Sequence, residues 1–160
     1  MAARVSSTRI VGRSAELAEL EAALQDAAEG RPSLAFVAGE SGVGKTRLVA
    51  ELERRAAERH SARVIGGDCV ELGEGELPYA PLVAALRPLA RRGDPVFDAV
   101  DPSVRAALAT LAPALAAPEA LSSGAARTPL DDADARGRLF EALLALIETL
   151  AADHPLLVVI

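Results

Sequence analysis

"GESGVGKT", Gly39 to Thr46, stands between the apolar run "SLAFVA" (33–38) and the segment "RLVAEL" (47–52). Glycine at 39, 42 and 44 frees the backbone for a tight turn whose successive N–H groups face one hollow. Lys45 is the only lysine in the chain, which otherwise uses arginine for positive charge. An ammonium is a compact point charge on a flexible stem, and a planar, forked guanidinium does not replace it well. The spacing Gly39-x4-Gly44-Lys45-Thr46 satisfies the P-loop pattern (Walker A) in full, with a strand pattern before it and a helical pattern after it. Such a match arises by chance in roughly 1% or fewer of chains this long, given ordinary residue frequencies. The bland alternative, a glycine-rich turn with an exposed lysine, loses to phosphate binding.

The chemistry assigns each position. The backbone of Gly39, Glu40, Ser41, Gly42, Val43 and Gly44 lines the hollow, and the helix starting near Lys45 adds its partial positive end. Lys45 reaches the β- and γ-phosphates, and the Thr46 hydroxyl ligates Mg²⁺. Arg47 completes the nucleotide-binding set, while Glu40 is a variable position on the solvent side. The expected ligands are ATP or ADP with Mg²⁺.

Composition limits the rest. The chain has 160 residues, 51% of them hydrophobic, but only 2% aromatic, so the core is expected from Leu, Val, Ile and Ala. A net charge of −6 argues against a general nucleic-acid-binding surface. The single cysteine, Cys69, excludes an internal disulfide and suits a reducing compartment. No apolar run has membrane-spanning length and the N-terminus lacks a signal peptide's apolar stretch, so a cytoplasmic protein without a membrane partner is expected.

Around the loop, residues 1–9 read as a disordered N-terminus and 10–160 as one incomplete domain. Ser14 is the expected N-cap of a helix carrying Leu17, Leu20 and Leu24 on one face, with Glu16 in its first turn and Gly30 and Pro32 closing it. Residues 33–38 read as a short buried strand, and Leu48, Val49, Leu52 and Ala56 mark a helix to about Arg59. A second strand is expected at 62–68 and a helix near Ala80–Arg87 that Pro88 ends or kinks. Asp101 and Pro102 read as N-cap and first helical residue, with Val104, Leu108 and Leu111 following. Residues 113–130 look least ordered. A longer helix covers about Asp132–Ala152, with Leu139, Leu143, Ile147 and Leu150 apolar, and "HPLLVVI" is a third buried strand. The fold class is α/β: a P-loop NTPase with a parallel sheet flanked by helices. Ending on "LLVVI" suggests a larger protein truncated within its third strand.

With these residues in view, "IVGRSAELAELEAAL", "LAFVAGESGVGKTRLVAEL", "CVELGEGELPYAPLVAALRPLA" and "RLFEALLALIETLAADHPLLVVI" resemble the N-terminal part of an AAA-type ATPase module. The similarity is to the Orc1-like, STAND-type ATPases of large bacterial LuxR-type transcriptional regulators. The resemblance implies that the backbone of Val11, Gly12 and Arg13 packs near the adenine. It often has an acid after that arginine, where this chain has Ser14. It also implies one or two acidic residues directly after a strand like 155–160; these would lie beyond Ile160, so no catalytic residue is expected within this chain and it should bind without hydrolysing. The implied role is a nucleotide-dependent switch in signalling or transcription, with self-association through the module and DNA contact only through a domain absent from this chain. The implied strand order leaves one strand's width between 33–38 and 155–160, so that 155–160 pairs with 62–67. A small-molecule kinase, in which 33–38 and 155–160 are immediate neighbours, is one alternative. A nucleotide-stabilised, non-catalytic scaffold is the other.

Other polar residues invite weaker readings. Asp131, Asp132 and Asp134 sit where a helix starts and favour its dipole over a metal. His60 and His154 lack partners at zinc-ligand spacing. Cys69 has no nearby His to activate it. Glu71, Glu74 and Glu76 read as a solvated loop.

Overall fold

The structure, a computed structural model of the chain, describes residues 12–67, 79–111, 115 and 133–160. Helix α1 spans Ser14–Ala28 and α2 spans Lys45–His60. Strand β1, Arg63–Gly66, is followed by α3 (Ala80–Arg91), α4 (Val96–Ala99), α5 (Pro102–Leu111) and α6 (Ala133–Ala151), and β2 is Leu156–Val159. The expectations for 1–9, for Val11, for the acidic loop with Cys69, and for most of 113–130 fall outside the described residues.

The sheet has two strands, β1 beside β2. Arg63 N–H donates to Pro155 O at 2.7 Å and Gly67 N–H to Val159 O at 2.9 Å, so both strands advance in the same direction. This is the expected pairing of 155–160 with 62–67. The segment 33–38 departs from its reading as a buried strand: it has no strand assignment, and Leu34 and Phe36 are 80% and 87% exposed. A strand exists through its ladder, and among the described residues no neighbour supplies one to this segment.

Contacts divide the chain into two compact units, Met1–Val64 with His154–Leu157, and Ile65–Asp153 with Val158–Ile160. In the first, α1 packs on α2. Leu17, Leu48 and Leu52 are buried together with Leu20 and Leu157 against them, and Leu24, Ala56 and Ala62 form a second cluster with Val64. Leu17, Leu20, Leu24, Leu48, Leu52 and Ala56 are residues that helical spacing selected, whereas Ala62, Val64 and Leu157 come from the strand segments; each buried leucine contributes about 1.5–3 kcal/mol. Salt bridges join the two helices: Arg55 to Glu21 at 2.9 Å and Arg59 to Glu21 at 3.2 Å. Helix α1 ends in a glycine closure, with Gly30 at φ +82 and Arg31 N–H on Asp26 O at 2.9 Å.

Its start differs from expectation. Ser14 is the first helical residue, Arg13 occupies the cap position, and no side chain caps the helix there. Glu16 serves that end instead. Its carboxyl lies below its usual range because of its own backbone N–H and then Arg13.

In the second unit α5 and α4 pack on α6. Leu86, Leu108, Leu115, Leu139, Leu143 and Leu146 are its largest fully buried side chains. Helix α3 runs through Pro88 to Arg91 rather than ending before it. Pro88 removes one N–H, yet Leu86, Leu89 and Ala90 on the same helix are buried, and that burial outweighs one lost hydrogen bond. Asp101 caps α5 as expected, its Oδ1 accepting Ser103 N–H at 2.8 Å and the Ser103 hydroxyl at 2.6 Å. No helix among the described residues is long and apolar enough to cross a membrane.

Candidate functional site

The glycine loop lies within the first unit, entering from the segment before Gly39 and leaving into α2. Gly39, Gly42 and Gly44 have φ of +154, +82 and +92. A side chain at any of these is strained, which is the physical reason for glycine at each. A Cβ on Gly39 would also meet Val43 Cγ2 at 3.1 Å, whereas at Gly42 and Gly44 it would meet nothing within 4 Å.

Gly44 is the cap residue of α2, and no side chain accepts a hydrogen bond from the helix end. The first backbone bond of α2 is Leu48 N–H to Gly44 O at 3.0 Å. The N–H groups of Lys45, Thr46 and Arg47 are thus left without an acceptor inside the helix, a site suited to an anion. The Lys45 ammonium donates to Gly39 O at 2.8 Å and to Glu40 O at 2.9 Å. Lys45 is half-buried, and Thr46 and Arg47 are exposed on the first helical turn. Ser41 and Glu40 are exposed, and Glu40 enters the site through its carbonyl.

From the segment before α1, Gly12 adopts φ +81 and Arg13 reaches the loop. Arg13 Nη2 donates to Val43 O at 3.4 Å and Nη1 to Glu16 Oε1 at 2.8 Å. The structure so brings Arg13 together with the glycine loop. Glu16 was legible in the sequence only as a first-turn carboxylate; the three-residue spacing from Arg13 was the signal that it is also that arginine's partner.

This donor set fits a polyphosphate: three glycines in left-handed backbone, an uncapped helix start, one ammonium and the hydroxyls of Ser41 and Thr46. The Thr46 hydroxyl, on the first turn of α2, is an oxygen donor of the type Mg²⁺ takes. Among the described residues no group of three or more His, Cys, Asp or Glu side chains forms a metal site. Asp134 stands in the first turn of α6, while Asp131 and Asp132 lie outside the described residues. An open groove of about 670 Å³ in the second unit, lined by Ser103, Ala107, Gly137, Arg138 and Glu141 among others, includes none of the loop residues.

The family model described as AAA ATPase domain matches residues 9–160. No curated protein and no solved structure matches the chain.

Proposed function

The chain belongs to the AAA ATPase domain family, and from that premise we propose that the loop Gly39–Thr46 binds the phosphates of ATP or ADP together with Mg²⁺. The observation that carries this reading is the loop's conformation: left-handed glycines at 39, 42 and 44 running into an uncapped α2 with Lys45 across its mouth. Lys45 exchanges the carbonyls of Gly39 and Glu40 for phosphate oxygens. Its stem is long enough to pivot, and a charged oxygen is a stronger acceptor than a neutral carbonyl. The backbone N–H groups of the loop and of the first turn of α2 hold the remaining oxygens, and Thr46 offers its hydroxyl to the metal. When bound, Mg²⁺ neutralises charge on the terminal phosphates.

The wider role is that of a nucleotide-dependent switch in a signalling or transcription-regulating protein of the STAND type, in which exchange of nucleotide biases a two-state element.

Calorimetric titration tests the binding site. Lys45→Ala is expected to weaken Mg-ATP binding by at least about tenfold, or about 1.4 kcal/mol. Thr46→Ala should weaken it chiefly when Mg²⁺ is present. Unchanged affinity in folded Lys45→Ala would sink the phosphate assignment.

A further inference from the structure

One peptide of the glycine loop is gripped from outside the loop. Val43 O accepts Arg13 Nη2 at 3.4 Å, and the same guanidinium is held by Glu16 through Nη1 at 2.8 Å. A trans peptide is planar, so the Val43 carbonyl and the Gly44 N–H on that unit point in opposite directions. Holding the carbonyl toward Arg13 therefore turns the Gly44 N–H away from it. On the Gly44 side of this peptide there is no Cβ, and one built there would have no neighbour within 4 Å.

We infer that Arg13 and Glu16 act together as a strut that fixes the direction of the Gly44 N–H, which makes them positioning residues of the phosphate cradle. The inference rests on the nucleotide-binding reading above and gives the Arg13 side chain a task separate from any backbone contact of 11–13 with the base. The fork of the guanidinium suits it, because one planar group meets a carboxylate and a carbonyl at once. The long 3.4 Å bond sets a modest effect, since a single exposed hydrogen bond contributes little net free energy.

The experiment compares two probes on the whole chain: Mg-ATP, and Mg-tripolyphosphate, which has no base. Arg13→Ala is expected to weaken both by about the same factor, about fivefold. Glu16→Gln should weaken both by less, since it frees the guanidinium without removing it. In each variant the Gly44 amide resonance should shift in the ligand-free protein. Loss of ATP affinity with tripolyphosphate affinity intact would mean that Arg13 acts on the base side, and would overturn the strut. So would both affinities standing unchanged in Arg13→Ala while Lys45→Ala loses them, an outcome that spares the P-loop reading. Wild-type protein that binds neither probe overturns both. Should Arg13→Ala fail to fold, Glu16→Gln decides by the same two titrations and the Gly44 resonance.

Discussion

At Gly67 a methyl group has nowhere to go. A Cβ there would lie 2.6 Å from Ala85 N and 2.7 Å from Pro81 O, both backbone atoms of α3. Backbone in a buried helix cannot step aside as the end of a long side chain can, so Gly67→Ala is expected to destabilise the protein by about 1–3 kcal/mol. Gly137 presents the opposite case. It lies inside α6, with nothing within 4 Å of a Cβ and no left-handed φ, so Gly137→Ala should stabilise by about 0.5–1 kcal/mol through the unfolded chain's lost freedom. Chemical denaturation of the two variants beside wild type checks both signs. The sequence marked Gly66 and Gly67 only as the end of a strand. That Gly67 is a contact with a helix residues away in the chain depends on packing, which local pattern does not carry. The loop glycines were different: the signature of Gly39, Gly42 and Gly44 is local, because the turn they permit is local.

Among the elements, α2 carries most of the charge pattern that ties the first unit together. Glu51 accepts from Arg54 at 2.7 Å and from Arg55 at 2.7 Å, Arg54 also pairs with Glu58, and Arg55 continues to Glu21 on α1. The hydrogen bonds from Arg54 and Arg55 pull the Glu51 carboxyl from 4.5 down to about 2. A carboxyl depressed in the folded state stabilises above its unfolded value and loses that contribution as pH falls through the folded one. Glu51→Gln is therefore expected to melt below wild type from neutral pH down to about pH 5, with the gap closing as pH approaches about 2. Thermal melts across that range read it directly, and a gap of constant size would show that the pairing contributes nothing. The intrahelical part of this net was readable from three- and four-residue spacing, but the link from Arg55 to Glu21 required α1 to be set beside α2.

For the molecule as a whole, the notable surface is the exposed apolar segment before the loop. Leu34 and Phe36 are 80% and 87% exposed and Val37 is 36% exposed, on backbone outside the sheet. An apolar, unpaired stretch of this kind is a template for association between chains. Phe36→Lys is expected to slow the growth of light scattering at a given protein concentration while leaving the melting temperature unchanged; equal scattering in both proteins would place association elsewhere. Sequence by itself determined what short-range chemistry determines here. The four-position pattern Gly39, Gly44, Lys45 and Thr46 named the loop, and leucine spacing named the buried faces of α1, α2 and α6, because turn geometry and helical period act within a few residues. Tertiary structure decided what depends on partners far along the chain. The run 33–38 has the composition of a buried strand, but a strand is made by a neighbour's hydrogen bonds, and none of the described residues provides them. The run 156–159 has a similar composition and does become a strand, because β1 lies beside it. The resemblance placed only the backbone of Arg13 near the nucleotide; it is folding that carries its side chain across thirty positions to the carbonyl of Val43.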